Sequence, residues 1–148
     1  MKLKRVSEIM TEAPIDTIEQ GLSIQQAANI MKERKRGSLV VTDNKKAVGI
    51  ITERDIIRRV VAEGKDIDAT KVKDIMSTPL ISIRSDATVE AAAKVMYENS
   101  IRRLPVIDDE RIVGIITATD FVKELLKERR DDMLLAMARF KYLEGLNR

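Results

Sequence analysis

Two sets of apolar residues recur at the spacing of an amphipathic helix, and each set begins directly after a hydroxyl-bearing residue. Ser23 and Thr88 are favourable N-caps, because their side-chain oxygens can accept a hydrogen bond from a free amide in the first helical turn. The apolar positions behind them return every three or four residues, which is the repeat of one helical face. They are Ile24, Ala27, Ala28 and Met31 in the first set, and Val89, Ala92, Ala93 and Met96 in the second. This pattern predicts two helices that each bury one side.

Short β-branched runs surround each of these helices. One run follows a proline before each helix, at residues 15–18 and 80–83, and predicts a strand. Two further runs follow each helix and are separated by polar residues that favour turns, which predicts a β-hairpin. These hairpin runs are residues 39–42 and 47–51 in the first half and residues 104–107 and 112–116 in the second. A second helix is expected after each hairpin, over residues 53–63 and 118–128, and Gly64 is expected to end the first of these.

The order of elements occurs twice because the chain is an internal repeat. Val6-Ser-Glu-Ile-Met10 returns as Val72-Lys-Asp-Ile-Met76, and Val48-Gly-Ile-Ile-Thr52 returns letter for letter as Val113-Gly-Ile-Ile-Thr117. Each repeat has the order β-α-β-β-α, and one such unit has too little core to be stable alone. We therefore expect an α+β fold in which two repeats pack sheet to sheet around a pseudo-twofold axis. The expected divisions are residues 1–65, residues 66–128 and a C-terminal helical extension over residues 129–148.

Composition excludes several classes of site. The 148 residues include neither cysteine nor histidine, so disulfides, thiolate–zinc sites, cysteine nucleophiles and histidine-based catalytic triads are excluded. The sequence also lacks a Walker-type glycine loop, so we expect no catalytic residue. Because the usual metal ligands cysteine and histidine are missing, we also expect no metal site. The net charge of +3 is too balanced to require nucleic acid. Because no apolar run approaches the roughly 18 residues of a membrane span, we expect a cytoplasmic protein. Because the sequence shows neither a nucleophile–base pair nor a Walker-type loop, we expect that it is not an enzyme.

The sharpest local pattern is Gly-Ile-Ile-Thr-x-x-Asp, at residues 49–55 and 114–120. It lies where a predicted strand passes into a predicted helix. One interpretation is a capping box, in which the threonine caps the helix and the aspartate reaches back to the threonine amide. The other is a nucleotide site, in which the carboxylate accepts hydrogen bonds from a ribose diol while the helix start and the threonine hydroxyl face phosphate. The residues alone leave both interpretations open.

From about Val6 to Glu128 the chain resembles a tandem pair of CBS domains (cystathionine-β-synthase domains). The resemblance rests on both copies of the glycine–threonine–aspartate motif, on Ile-Met-Ser-Thr-Pro at residues 75–79, and on Arg-Arg-Leu-Pro-Val-Ile-Asp at residues 102–108. It implies a disc-like, stand-alone regulatory module with two clefts that bind AMP, ADP, ATP or S-adenosylmethionine as regulatory ligands, with no cofactor required. It also implies a homodimer and a regulated partner protein that the sequence does not identify.

The resemblance further implies that each cleft combines residues of both repeats. Cleft A takes Ile50, Thr52, Arg54 and Asp55 from the first repeat, and Pro79, Ile81, Ile101, Arg102 and Arg103 from the second. Cleft B takes Ile115, Thr117, Thr119 and Asp120 from the second repeat, and Pro14, Asp16, Arg36, Gly37 and Ser38 from the first. By resemblance, the aspartates hold ribose, the threonines and the Arg102–Arg103 pair face phosphate, and the residues before the strands contact adenine. Since the first repeat has Gly37 and Ser38 where the second has two arginines, unequal affinities are expected.

The C-terminal extension carries an apolar stripe of its own. The stripe consists of Met133, Met137, Phe140 and Leu143, at helical spacing. Because both repeats end before it begins, we expect this helix to pack on its own repeats or on a second subunit.

Two other classes of function stay open at this point. In the first, the chain is a ligand-free protein-interaction module whose threonine–aspartate pairs only cap helices. In the second, it binds nucleic acid through its arginine and lysine stretches. Binding of adenosyl compounds, measured across a panel, distinguishes the regulatory module from both.

Overall fold

A computed structural model describes residues 4–128 and residues 137, 139 and 140. Each repeat opens with a short helix that the apolar pattern did not predict. The first repeat contains α1 (Val6–Ile9), β1 (Thr11–Glu12), β2 (Thr17–Glu19), α2 (Ile24–Arg34), β3 (Ser38–Asp43), β4 (Lys46–Thr52) and α3 (Glu53–Ile56), which continues as a π-helical segment over Ile57–Val61. The second repeat contains α4 (Val72–Ile75), α5 (Val89–Asn99), β5 (Arg103–Asp108), β6 (Arg111–Thr117) and α6 (Ala118–Glu128). The α+β class and the two tandem repeats are confirmed.

The two repeats exchange segments at the edges of their sheets. One three-stranded sheet has the order β2-β3-β4, but the other has the order β1-β6-β5, so β1 leaves its own repeat. In this exchange Thr11 pairs antiparallel with Ile115. In the opposite direction, Ser77 of the second repeat forms an antiparallel bridge with Ile50 on β4 of the first. We call residues 4–14 and 71–79 the crossing segments, because each extends the sheet of the other repeat.

The crossing segments also place apolar side chains in the opposite core. Val6 of α1 belongs to the buried cluster of the second repeat, together with Leu104 and Ile116. Val72 and Ile75 of α4 belong to the buried cluster of the first repeat. All five side chains are fully buried, and burying each one stabilises the fold by about 1.5–3 kcal/mol. Neither core is therefore complete without a segment from the other repeat.

A glycine at each crossing point permits the close approach of the backbones. A Cβ atom on Gly114 would lie 2.6 Å from both the Met10 Sδ and the Thr11 carbonyl oxygen. A Cβ atom on Gly49 would lie 2.7 Å from the Ser77 carbonyl oxygen. These glycines belong to the repeated Val-Gly-Ile-Ile-Thr sequence, so its glycine is explained by the strand exchange.

The predicted helix caps and hairpin turns are confirmed. Ser23 accepts a hydrogen bond from the Gln26 amide at 3.2 Å, and Thr88 accepts one from the Ala91 amide at 3.1 Å. The hairpins β3–β4 and β5–β6 turn through pairs of residues with positive φ, as the common two-residue turns require. The turn residues are Asn44 and Lys45 in the first repeat and Asp109 and Glu110 in the second.

The strand predicted at residues 80–83 is wrong, and that at residues 15–18 is displaced to Thr17–Glu19. In the first repeat the Val40 amide of β3 donates to the Asp16 carbonyl at 3.4 Å. The residue at that position of β5 is Pro105, which has no amide hydrogen to donate. The second repeat consequently keeps only an isolated parallel bridge, between Ile83 and Val106.

The helix predicted over residues 53–63 divides into α3 and the π-helical segment Ile57–Val61, and Gly64 follows with a φ of +66°, as expected of a residue that ends a helix. The wider turns of the π-helical segment shift which side chain faces the core. Val60 is fully buried, whereas Leu125 at the related position of α6 is 43% exposed and Glu124 is buried instead. Lys4 forms an ion pair with the Glu124 carboxylate, which raises the pKa of Lys4.

Half of the predicted C-terminal stripe lies outside the described residues. Met133 and Leu143 are not described, while Met137 and Phe140 are helical and Met137 is 42% exposed. The packing of the stripe therefore stays a prediction. Within the described part of the chain, every helix is too short or too polar to cross a membrane.

We expect Gly114→Ala to lower the free energy of unfolding by roughly 1–3 kcal/mol, because the new methyl group must displace Met10 or the backbone of Thr11. Gly21→Ala is the matched control, since no atom lies within 4 Å of its Cβ position. Urea denaturation of the two variants measures the difference. Equal stability would contradict the role assigned to the glycine at the crossing.

Candidate functional site

The threonine and aspartate of the repeated motif contact each other in both repeats. In the first, the Thr52 amide and hydroxyl donate to Asp55 Oδ2 at 2.9 and 3.0 Å, and the Asp55 amide donates back to Thr52 Oγ1 at 3.2 Å. In the second, the Thr117 amide and hydroxyl donate to Asp120 Oδ2 at 2.8 and 3.2 Å. The capping interpretation is therefore confirmed as local geometry.

This capping geometry leaves half of each carboxylate unengaged. The bonds to Asp55 and Asp120 all end on Oδ2, and among the described residues no donor reaches Oδ1 of either side chain. Both aspartates are half-buried. One carboxylate oxygen can thus fix the start of the helix while the other accepts a hydrogen bond from a second molecule, so the two interpretations of the motif are compatible.

Strand exchange brings the proline of each crossing segment beside the motif of the other repeat. At cleft A the Thr78 hydroxyl donates to the Val48 carbonyl at 3.3 Å, so Pro79 follows a residue bound to β4. At cleft B the Ala13 amide donates to the Val113 carbonyl at 3.0 Å, which anchors Pro14 beside β6. The prolines are exposed, as are Arg54 and Thr119 in the first helical turns. Ile50 and Ile115 are half-buried on the strands that the crossing segments contact.

The loop before each hairpin is fixed by the backbone to its own repeat. The Glu53 amide donates to the Gly37 carbonyl at 3.0 Å, and the Ala118 amide donates to the Arg102 carbonyl at 2.9 Å. Ser38 pairs with Thr52 across its hairpin. Residues of the two loops therefore lie beside the motif of their own repeat, and their side chains must reach the other repeat across the interface.

Arg103 makes such a contact across the interface. Its Nη2 atom lies 3.2 Å from the position of a Cβ on Gly37, and the Glu53 carboxyl carbon lies 3.6 Å from the same point. The guanidinium is half-buried, and this desolvation lowers the pKa of Arg103, while the nearby Glu53 carboxylate opposes the shift. Sequence reasoning missed Glu53, because nothing in the chain order indicates that a residue of α3 faces β5.

Asp16, which is assigned to cleft B, binds two arginines of the same repeat. Asp16 receives a hydrogen bond from Arg34 Nη1 at 2.5 Å and another from Arg36 Nε at 2.8 Å. These two ion pairs lower the pKa of Asp16. Sequence reasoning missed Arg34, although its place at the end of α2 could have indicated the contact. The related positions at cleft A are Ile81, Asn99 and Ile101, so this ion-paired cluster belongs to one cleft only.

A separate pocket of about 370 Å³ opens at the other end of the first sheet. Its lining residues are Thr17, Ile18, Glu19, Leu22, Ile30, Thr42, Lys45 and Ile112. None of the residues assigned to cleft A or cleft B lines it. No group of three or more acidic side chains in the described ranges is arranged to hold a metal ion.

Comparison with known proteins finds one family across both repeats. The CBS domain profile matches residues 6–62 and 72–127. The uncharacterized protein MK0525 of Methanopyrus kandleri is 37% identical over 118 residues, which cover 78% of this chain and 57% of that protein, so the chain spans little more than half of this relative. A solved structure of a protein with CBS domains from Burkholderia ambifaria has a TM-score of 0.78 at 29% identity, covering 85% of this chain and 96% of that one. The hexameric CBS-CP12 protein from bloom-forming cyanobacteria has a TM-score of 0.71 at 29% identity, with 92% and 88% covered.

The Asp16 ion pairs predict a pH dependence of stability. Because the folded-state pKa of Asp16 lies below its ordinary value of 3.8, its stabilising contribution is complete above that pH and is lost as the pH falls through the folded pKa. We therefore expect Asp16→Asn to reduce the free energy of unfolding near neutral pH, and the difference from the parent protein to shrink in acid. Denaturant titrations across the pH range measure it.

The control for this experiment is Asp43→Asn, which removes the same charge from the exposed end of β3. If both variants lose the same free energy of unfolding, or if the loss in Asp16→Asn is constant across the whole pH range, the ion pairs are excluded as its cause.

Proposed function

The chain belongs to the CBS domain family, and we propose that it is a regulatory module that binds an adenosyl ligand in cleft A and cleft B. The observation that carries the proposal is the divided use of the motif carboxylates. In each repeat Oδ2 of the aspartate caps the helix and Oδ1 accepts no hydrogen bond from the described residues. A ribose diol supplies two adjacent hydroxyl donors, so it suits a carboxylate whose position is already fixed.

Apolar surface beside each motif supports the binding of a purine. In cleft A, Ile50 is half-buried on β4, while Ile81 is 37% exposed and Ile101 is half-buried on the side of the second repeat. In this proposal the planar base lies between these side chains and the backbone after Pro79. The related surface of cleft B is formed by Ile115 and the backbone after Pro14.

In this proposal the phosphate is bound by residues whose hydrogen-bond donors have no partner in the described part of the chain. The Thr52 and Thr117 hydroxyls donate to the motif aspartates, so they must turn away from these partners before they can donate to phosphate. Arg54 and Arg102 in cleft A and Thr119 in cleft B are exposed and can donate without such a change. Guanidinium groups bind phosphate through charge-assisted hydrogen bonds.

The proposed role is regulatory because a ligand that contacts both repeats can change the stability of the contacts between them. Each cleft combines a motif of one repeat with a crossing segment of the other. An adenosyl compound bound there would stabilise the exchanged arrangement by its own binding free energy. A protein partner that binds only the exchanged arrangement would then bind more tightly when the ligand is present.

We propose that a second copy of the chain covers the exposed apolar face of the π-helical segment. Ile57 and Val61 are 60% and 62% exposed and lie four residues apart on that segment. An exposed apolar face of this kind commonly marks an interface, and the related CBS-CP12 protein forms hexamers. A symmetric homodimer is the simplest closed assembly that buries such a face.

The ligand proposal is tested by calorimetric titration with adenosine, AMP, ATP and S-adenosylmethionine. Asp55→Asn and Asp120→Asn keep an oxygen that can cap the helix but lose the charge and the second acceptor. We expect each variant to weaken binding at one cleft about tenfold or more, which corresponds to the roughly 1.5–3 kcal/mol of a charged hydrogen bond. The melting temperature should stay close to that of the parent protein.

A matched control is Asp74→Asn, because Asp74 accepts the Lys71 amide in the capping box of α4, outside both clefts. It should not change the affinity, and 2′,3′-dideoxyadenosine should bind the parent protein more weakly than adenosine. A lower melting temperature with unchanged affinity in Asp55→Asn and Asp120→Asn would favour the ligand-free interaction module. Binding of double-stranded DNA without binding of adenosyl compounds would favour the nucleic-acid class.

The dimer proposal predicts that Ile57→Glu converts the protein to a monomer, because the interface would have to bury an unpaired charge. Light scattering measures the molar mass. Tyr97→Glu is the control, since Tyr97 on α5 is 87% exposed and lies outside the proposed interface. An unchanged molar mass in Ile57→Glu, or a monomeric parent protein, would exclude this interface.

A further inference from the structure

The pocket at the other end of the first sheet belongs to neither cleft and has a chemistry of its own. Its volume of about 370 Å³ lies within the range of roughly 300–1,000 Å³ that small-molecule sites occupy. One wall is apolar and is formed by Ile18, Leu22, Ile30 and Ile112. Because Ile112 lies on β6, the pocket takes residues from both repeats. The aliphatic part of a small molecule can bury its surface against this wall.

The Glu19 carboxylate at this pocket is fixed at one oxygen and open at the other. Its Oε1 atom accepts a hydrogen bond from the Thr42 hydroxyl at 3.0 Å, and the Lys45 amide approaches the same atom at 3.5 Å. Thr42 is buried, so the carboxylate is anchored to the body of the sheet. Among the residues that the structure describes, no donor reaches Oε2. A fixed carboxylate with an open oxygen is suited to accept a charge-assisted hydrogen bond from an ammonium group.

A lysine lines the same pocket without pairing with this carboxylate. Lys45 and Glu19 form no ion pair, and no acidic side chain in the described ranges pairs with the Lys45 ammonium. The pocket therefore offers one negative and one positive group beside an apolar wall. A ligand with an ammonium, a carboxylate and an aliphatic side chain complements all three features and brings no net charge.

The second repeat does not carry this combination of side chains. Glu19 and Thr42 correspond to Arg84 and Ile107, so the anchored carboxylate is missing there. Arg84 instead pairs with the neighbouring Asp86 at 3.2 Å. The repeated fold therefore does not require the anchored carboxylate, and ligand binding is a reason for its presence in the first repeat.

We propose that this pocket binds a free α-amino acid with an aliphatic side chain, in addition to the ligand of the clefts. The ammonium of the amino acid donates to Glu19 Oε2, its carboxylate binds the Lys45 ammonium, and its side chain packs on the apolar wall. Ile112 of this wall precedes Val113, whose carbonyl accepts the Ala13 amide of the crossing segment. A bound amino acid would stabilise this contact between the repeats by its own binding free energy. The inference goes beyond the proposed function, since no residue of the pocket is assigned to either cleft.

Calorimetric titration with L-leucine tests the proposal, together with three compounds that each lack one of its groups. Glycine lacks the aliphatic side chain, 3-methylbutylamine lacks the carboxylate, and 4-methylpentanoate lacks the ammonium. We expect leucine to bind at one site per chain and each of the three compounds to bind about tenfold or more weakly, because a charged hydrogen bond or the apolar contact is lost. Failure of leucine to bind, or equal binding of leucine and any of the three compounds, would overturn the assignment.

Two variants locate the site on the protein. Glu19→Gln keeps an oxygen that can accept the Thr42 hydroxyl but removes the negative charge, and Lys45→Gln removes the positive charge from the turn. Each should weaken leucine binding about tenfold or more and leave the affinity for adenosine unchanged. The matched controls Glu110→Gln and Lys46→Gln remove the same charges from exposed residues outside the lining of the pocket. They should bind leucine as the parent protein does.

Two results would place the leucine site elsewhere and overturn the inference. One is parent-like leucine affinity in both pocket variants, and the other is an equal loss of affinity in the controls. Failure to bind leucine while adenosine still binds would overturn this inference alone. Binding of leucine without binding of any adenosyl compound would support it and overturn only the proposed function.

Discussion

The structure depends on the close approach of two backbones at each crossing point. At Gly114 the Thr11 carbonyl lies where any side chain would stand, and Gly49 gives the same room to Ser77. Through these two contacts each repeat completes the sheet and the core of the other. The consequence for the site is direct, because Pro14 and Pro79 follow the crossing strands and are brought beside a motif that belongs to the other repeat. Each candidate cleft combines residues of both repeats because the repeats are interleaved.

The two crossings are alike in outline but differ in detail, and the candidate cleft residues around them differ in chemistry. Thr11 and Glu12 form a two-residue strand against β6, whereas Ser77 forms only an isolated bridge to Ile50. Among the side chains, Asp16 corresponds to Ile81, and Ser38 corresponds to Arg103. The helices after the motifs diverge as well, since the π-helical segment buries Val60 where α6 buries Glu124. The repeats therefore share their order of elements but differ both in packing and in the side chains around the motifs.

Sequence patterns predicted the features that depend on neighbouring residues. The caps at Ser23 and Thr88, the hairpins and the threonine–aspartate contacts involve residues close in the chain, so their local patterns were sufficient. The strand exchange joins residues far apart, such as Thr11 and Ile115, and no local pattern encodes the partner. The strand expected at residues 80–83 is absent because Pro105, on the neighbouring strand, has no amide hydrogen to donate. The approach of Arg103 to Gly37 and Glu53 was missed for the same reason as the exchange, because it crosses between repeats.

Hydrogen exchange with and without AMP tests whether the ligand clefts and the crossing segments form one unit. The decisive amides are those of Ala13 and Ser77, which donate to Val113 and Ile50 across the two crossings. If ligand and crossing segment are coupled, saturating AMP slows the exchange of the crossing-segment amide at each occupied cleft as well as that of the motif amides. Slower exchange confined to the motif, with both crossing amides exchanging at their original rates, would contradict it.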